Sequence, residues 1–315
     1  MSNMKAIHLH TYGGTENLVY EETSIPSPGS GEVLVKVKAA GVNPLDLMVR
    51  KGWLQSIIDY PMPIILGLDL SGVVAAIGEG VTHLQVGQDV YGITDIKLLG
   101  TYAEYAIAPS DKVVPKPKNL DYVQAASVPS VGITAWQALF DVGGLSAGQT
   151  VLVHAAAGGV GSFAVQLAKA KGAKVIGTAS SQNLDFVSSL GADQVIDYKT
   201  TRFEEVVSNV DVVLDTIGGE TRERSWGILK PGGILVSLIT SDPASSETAA
   251  EYGVRTATMF VKLEGKYLTE LAALLDNGTI KTCVDKVLPL TEASQAHELI
   301  ESGGKRGKIV LNIAS

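Results

Sequence analysis

Over residues 1–122 the apolar positions come in short bursts divided by Gly and Pro turns. The bursts at 5–9, 32–39, 72–77, 89–91 and 102–107 have strand length, and their number and spacing predict a small irregular β-barrel. One helical segment interrupts it at 44–51, with Pro44 in its first turn and Gly52 just past its end.

From about residue 123 the pattern changes. A helix is predicted through Ala125, Ala126 and Ser127 and again over 134–140. Then come short β-branched runs at 150–153, 174–178, 194–197, 210–215 and 234–239, separated by segments of helix length. Apolar runs without polar alternation are strands buried on both faces, and their alternation with helices predicts a doubly wound parallel sheet over 123–261. After 262 the pattern is mixed: a helix at 263–275 stopped by Asn277-Gly278, a strand at 283–288, a helix at 293–300 and a last strand at 308–313. A tail this short has too little apolar surface to fold alone, so residues 262–315 are assigned with 1–122 to one domain and 123–261 to the other.

The densest signal lies at the start of the parallel-sheet region. The strand at 150–153 runs through His154, Ala155, Ala156 and Ala157 into Gly158, Gly159, Val160 and Gly161. A helix follows, with Val160, Phe163, Ala164, Leu167 and Ala168 at helical spacing and Gly172 as its C-terminal stop. A small-residue turn between a buried strand and a helix lets phosphate oxygens approach the helix N-terminus, where unpaired N–H groups and the helix dipole favour negative charge. Against the G-x-G-x-x-G dinucleotide fingerprint the match is Ala156, Gly158 and Gly161, with the first glycine replaced. Taken by itself, such a stretch is also compatible with an ordinary tight strand-to-helix turn.

Composition narrows the picture. The 315 residues are 45% hydrophobic and 18% charged, enough to bury a sizeable core in about two domains. No apolar run nears the roughly 20 residues of a membrane helix, and the first residues lack a signal-peptide core, so cytoplasmic residence is expected. Twenty-five basic against 33 acidic residues give a net charge of −8 with no basic block, which argues against nucleic acid as primary partner. The single cysteine, Cys283, excludes an internal disulfide and reads as a buried strand residue. The five histidines show no ligand spacing, and His154, at the end of the central strand, reads as a hydrogen-bonded core histidine.

Six short motifs, taken jointly, resemble the zinc-independent quinone oxidoreductase (zeta-crystallin-like) family of the medium-chain dehydrogenase/reductase superfamily. They span residues 40–46 (AGVNPLD), 67–72 (GLDLSG), 100–105 (GTYAEY), 134–136 (TAW), 155–161 (AAAGGVG) and 307–311 (GKIVL). The resemblance implies an α/β chain with a doubly wound Rossmann domain and a GroES-like irregular β-barrel, and a homodimer formed through the edge of the nucleotide-domain sheet. Zinc-dependent relatives carry Cys and His where this chain has Asn43 and Leu68, so no zinc is expected. The implied reaction is hydride transfer from NADPH to small quinones or α,β-unsaturated carbonyl compounds.

By the same motifs, Asn43, as an amide donor, and Asp46, bound to the ribose or orienting a neighbour, are expected as the catalytic residues at the nicotinamide end, although both residue types also suit helix capping. Thr134, Gly158, Gly159, Val160, Gly161, Gly218, Thr240 and Val261 are expected to contact the cofactor. Lys308 is expected near the pyrophosphate, or else as a solvated lysine opening a strand. About 20 residues past the glycines, where an NAD enzyme places an acidic residue on the ribose, the chain reads Thr178-Ala179-Ser180-Ser181, which permits a 2′-phosphate. The basic residue common in relatives is missing there, forgoing about 1.5–3 kcal/mol and leaving Ser180, Ser181 and Tyr198, with Lys199 or Arg202, to hold the phosphate. Trp53 and Tyr60 either line the substrate pocket or serve packing. Two other functions fit the same pattern: an NADPH-binding protein with incidental catalysis, crystallin-like or RNA-binding, and an acyl-thioester enoyl reductase. The tyrosine that enoyl-thioester reductases use after the Asn motif is replaced here by Met48 and Leu54.

Overall fold

The computed structural model describes residues 3–313. The chain forms two compact units, one holding the residues up to Ser130 with Leu263–Gly278 and those from Thr282 on, the other Val131–Lys262 with Thr279–Lys281.

The first unit opens with β1 (Asn3–Leu9), β2 (Leu18–Ser24) and β3 (Glu32–Val42), followed by α1 (Pro44–Arg50) and β4 (Ile64–Ile65). Then come β5 (Asp69–Ile77), β6 (Asp89–Ile93), β7 (Tyr105–Pro109), β8 (Val113–Pro115) and α2 (Tyr122–Ala126). β1 pairs antiparallel with β2 and β4. β2 escapes the sequence pattern because most of its residues face solvent and give no apolar alternation. β3 is the spine of the larger sheet, antiparallel to both β5 and β7.

The second unit starts within α3 (Pro129–Trp136), which runs on as a π-helical stretch, Gln137–Val142. It continues through β9 (Thr150–Val153), α4 (Gly159–Ala170), β10 (Lys174–Ala179), α5 (Leu184–Ser189), β11 (Gln194–Asp197), α6 (Phe203–Val206) and β12 (Val210–Asp215). α7 (Gly219–Ser225), β13 (Leu229–Ser237), α8 (Ser246–Glu251) and β14 (Arg255–Thr258) complete it. The six strands are all parallel in the order β11-β10-β9-β12-β13-β14. The chain therefore leaves β9 to one side for β10 and β11 and returns to its other side for β12, placing the switch point at the C-terminal end of β9. β13 begins earlier than the apolar run at 234–239 indicated, because Leu229 already pairs with Val210 across a bulge.

The chain then returns to the first unit with α9 (Gly265–Asp276), β15 (Val284–Pro289), α10 (Ala293–Glu301) and β16 (Lys308–Asn312). β16 lies parallel to β15 and antiparallel to β3, so the last strand joins the first unit's main sheet. Both inter-unit divisions have local causes. Ala126 packs with Ala39 and Val310, and the Ser71 hydroxyl donates to the Tyr122 carbonyl (2.5 Å), tying α2 to the first unit rather than to the parallel sheet that follows. Residues 279–281 join the second unit because the buried Gln166 amide donates to the Lys281 carbonyl (3.0 Å) and accepts from its N–H (2.8 Å).

Candidate functional site

In the first unit, the register of three strands assembles a buried polar cluster. β3 sets Gly41 opposite Asp69 of β5 and Val42 opposite Ile309 of β16, so Asn43, leaving β3, comes beside Lys308. Asp69, fully buried, is the hub. Its Oδ1 accepts from the N–H (3.0 Å) and hydroxyl of Ser130, and its Oδ2 accepts from Asn43 Nδ2 (3.1 Å) and faces Lys308 Nζ (3.2 Å). Lys308 Nζ also donates to Asn43 Oδ1. Lys308 is only 4% exposed, which corrects the alternative of a solvated strand-opening lysine: burying an ammonium is tolerable only with a carboxylate and further acceptors at hand. Asn43 is engaged inside the cluster as well, because its amide nitrogen donates to Asp69 and to the Gly41 carbonyl (3.4 Å).

Asp46 occupies the third position of α1, and its Oδ2 accepts the Asn43 N–H (2.8 Å), so this carboxylate does close the helix start. It is also fully buried, and Oδ2 accepts from the Tyr102 hydroxyl (3.1 Å) while Oδ1 has no partner. Burial pushes the carboxyl up to about 7 against the opposing pull of the Asn43 N–H, Lys308 and Tyr102. Tyr102 also meets His297 Nε2 (3.4 Å), with the two rings edge to face. Burial, with Arg50 nearby, pushes His297 down to about 3, so this histidine is neutral and joins by hydrogen bonding alone.

The second unit offers backbone instead. Gly158 N–H bonds to the Ala155 carbonyl (2.9 Å), Ser162 N–H makes the first helical bond to Gly158 O (2.9 Å), and α4 begins between them. The N–H groups of Gly159, Val160 and Gly161 belong to the first turn, which has no intrahelical acceptors, and they are what an anion would bind. A β-carbon on Gly161 would fall 2.3 Å from the Ala155 carbonyl oxygen, so only glycine permits this path. The missing first glycine is compensated across the sheet, because Gly177 of β10 leaves room for the Ala156 methyl, which would otherwise meet a β-carbon at 2.9 Å. The cradle thus fits a dinucleotide diphosphate on geometry as well as on pattern. His154 stands behind it, with Nδ1 bonded to the Thr178 hydroxyl (3.1 Å) and Nε2 to that of Ser225 (2.9 Å), and burial lowers it to about 4. It is the core histidine its position indicated.

The remaining expected residues lie as follows. Gly218 caps α7, its N–H held by Asp215 Oδ1 (2.8 Å) at the end of β12, and Thr240 follows the end of β13. Val261 precedes Lys262, whose N–H and carbonyl are held by the Gln137 side chain (3.0 and 2.6 Å). Thr134, in α3, and Ser180, just past the end of β10, are both buried. Ser181 and Tyr198 are exposed at the ends of β10 and β11, and the Ser181 hydroxyl donates to Asp197. That carboxylate was not foreseen, because the acidic residue was sought in 178–181 and comes from the neighbouring strand. Tyr60 is buried with its hydroxyl donating to the Ile96 carbonyl (2.8 Å), whereas Trp53 is 64% exposed beneath Lys51 Nζ (5.0 Å from the ring centre).

Sequence reasoning missed Asp69, Tyr102 and His297. The first two stood inside the motifs at 67–72 and 100–105, and an aspartate opening an apolar strand was the signal to follow. His297 had none, being one polar residue on an amphipathic helix. Among the described residues, no group of three or more His, Cys, Asp or Glu side chains is arranged to hold a metal, and no helix is long and apolar enough to cross a membrane.

Two family models match the chain: an alcohol dehydrogenase GroES-like domain over residues 29–118 and a zinc-binding dehydrogenase over 190–311. A 2-methylene-furan-3-one reductase of Solanum lycopersicum is 34% identical, covering 99% of this chain and 79% of its own. The solved quinone oxidoreductase from Coxiella burnetii is 35% identical with a TM-score of 0.91, over 99% of this chain and 100% of the other. The Escherichia coli quinone oxidoreductase complexed with NADPH is 31% identical with a TM-score of 0.88, over 98% and 100%.

Proposed function

The chain belongs to the zeta-crystallin-like quinone oxidoreductase family of the medium-chain dehydrogenase/reductase superfamily, and on that premise we propose that it reduces quinones and α,β-unsaturated carbonyl compounds with NADPH, without zinc. The observation that carries this reading is the 155–161 turn, at the switch point of a six-stranded parallel sheet, opening onto the first turn of α4. When bound, the nicotinamide supplies a hydride to an electrophilic carbon.

The residues of this chain do the rest. Gly159, Val160 and Gly161 bind the pyrophosphate through main-chain N–H groups, and Gly218, Thr240, Val261 and Thr134 shape the nucleotide's path. Ser180, Ser181 and Tyr198 receive the adenosine ribose end, where β10 itself presents no acidic residue and so accepts a 2′-phosphate. Lys308 supplies a fixed positive charge, held in place by Asp69 and Asn43. Asp46 orders the start of α1 and so positions Asn43. Trp53 lies exposed, available to an apolar substrate, whereas Tyr60 acts by packing. Preorganised polar groups of this kind are most effective where charge develops during reduction. Relatives named for quinones and for a methylene-furanone, itself an enone, support the substrate class.

The test is oxidation of NADPH, and in parallel of NADH, against a panel of quinones and short enones. Turnover of at least one class, with NADPH the more efficient nucleotide, is the expected result. Binding of nucleotide without turnover of any compound would favour a nucleotide-binding protein instead, and turnover confined to acyl thioesters an enoyl reductase. The proposal also includes cytoplasmic residence and a homodimer formed through an edge of the parallel sheet, whose edge strands are β11 and β14; sedimentation of the purified chain would check the dimer.

A further inference from the structure

At the outer end of the parallel sheet, β10 and β11 run side by side with Ala179 opposite Asp197. The loop that follows β10 and the last residue of β11 therefore emerge together. Ser181 donates its hydroxyl to Asp197 Oδ2, and the Lys199 N–H donates to Oδ1 (3.0 Å). These two bonds hold the Asp197 carboxyl below the usual carboxylate range, so the group is ionised at neutral pH. Basic residues near it offer limited compensation. Arg202 is already paired with Glu204 (2.9 Å) and Glu205 (3.5 Å), which leaves Lys199 as the cation acting on Asp197.

In doubly wound sheets the residues ending the second strand read the adenosine ribose, by accepting its 2′-hydroxyl or by surrounding a 2′-phosphate. Here that strand is β10, which ends without an acidic residue, and the adjacent strand places one against Ser181. We propose that Asp197 is a specificity-determining residue: its carboxylate occupies the Ser181 hydroxyl and sets a negative charge beside the 2′-phosphate subsite, holding the preference for NADPH over NADH within about tenfold. The inference rests on the nucleotide reading above and goes beyond it, because it predicts use of both nucleotides and names the group responsible. A carboxylate in this position can accept a ribose hydroxyl but repels a phosphate dianion.

The experiment is calorimetric titration of the wild-type chain and of Asp197→Asn with four probes: NADPH, NADH, adenosine 2′,5′-bisphosphate and AMP. In Asp197→Asn the two 2′-phosphorylated probes are expected to bind about tenfold tighter, while NADH and AMP stay unchanged or weaken. Thermal melts establish that the variant is folded, and Asp197→Ser, which also removes the charge, is expected to repeat the shift. Unchanged affinity for the phosphorylated probes in both variants, or an equal shift for all four, overturns the proposal. A wild-type chain that binds none of the four fails earlier and differently, because then the nucleotide reading itself is lost.

Discussion

The two units solve the problem of polar groups at a buried site in opposite ways. In the second, the working groups are main-chain N–H donors supplied by one continuous stretch, 155–161, with His154, Thr178 and Ser225 forming a neutral hydrogen-bonded support. In the first, the working groups are side chains, the ionisable Asp46, Asp69, Tyr102 and Lys308 with the amide of Asn43, brought together by strand register and buried nearly completely. A backbone cradle depends on sterics, and none of its main-chain donors titrates. A side-chain cluster depends on charge balance, and each member left alone becomes expensive. The contrast predicts large, charge-dependent effects in the first unit and small, size-dependent ones in the second.

The largest effect is expected at Lys308. Lys308→Met keeps the apolar stem and removes the ammonium, leaving Asp69 buried with only Asn43 and Ser130 to satisfy it. Breaking a buried pair from one side costs about 3–5 kcal/mol, which urea unfolding would read as a lowered midpoint. Adding Asp69→Asn in the same chain should recover part of the loss. If Lys308→Met costs no more than a surface substitution, the pair is not the element that holds the cluster.

Asp46 sharpens the comparison through pH. At low pH both the native and the unfolded chain hold this proton. Between about 4 and 7 the unfolded chain releases it while the native carboxyl keeps it, so the stability tied to Asp46 falls as pH rises and is fully lost above about 7. Asp46→Asn is neutral throughout and its amide oxygen can still accept from Asn43 and Tyr102. The stability difference between the two proteins should therefore move in the variant's favour from pH 4 to pH 8, by at most about 4 kcal/mol. His154 and His297 work in the opposite direction, losing stability as pH falls below about 6.5, but they are common to both chains and cancel in the difference. A pH-independent difference would show that Asp46 titrates as an ordinary carboxyl.

In the second unit a methyl group takes the place of a charge. Gly161→Ala drives a β-carbon against the Ala155 carbonyl oxygen and Ala156 Cα (2.3 and 2.7 Å), both main-chain atoms that cannot rotate away. Overpacking of this kind costs about 1–3 kcal/mol, and here it also spreads the turn that is proposed to hold the diphosphate. NADPH and NADH should lose affinity together, and equal binding by variant and wild type would place the diphosphate elsewhere.

How much could be read beforehand follows the same division. Five of the six parallel strands and the turn were legible because their determinants are local: β-branched runs set the strands, small residues the turn, and Val160, Phe163, Ala164, Leu167 and Ala168 the helix, whereas the short edge strand β14, with no fully buried residue, showed no apolar run. The first unit's strands were legible too, apart from exposed β2 and the short β4 and β8, whose two or three residues are too few to show a period. Its site was readable only as motif fragments, since Asn43 and Asp69 lie 26 residues apart, Lys308 lies 265 residues from Asn43, and the three meet through pairings that no local period encodes. Asp197 was hidden for the same reason, acting on Ser181 from the next strand.

The smallest effect tests the backbone strain held in the second unit's turn, one residue before the fingerprint begins. Ala155 adopts φ 48°, in the left-handed region, where a β-carbon costs about 1–2 kcal/mol. Its conformation is held by the bond from Gly158 N–H to its carbonyl and by a contact of its own N–H with the Thr178 hydroxyl (3.3 Å), neither of which needs the methyl. Ala155→Gly should relieve the strain but loosen the unfolded chain by about 0.5–1 kcal/mol, so the net gain is under about 1 kcal/mol. A rise of a few degrees or less in melting temperature is the expected outcome. A clear fall instead would mean that the Ala155 methyl contributes packing to the cradle, and that the backbone site too depends on a side chain.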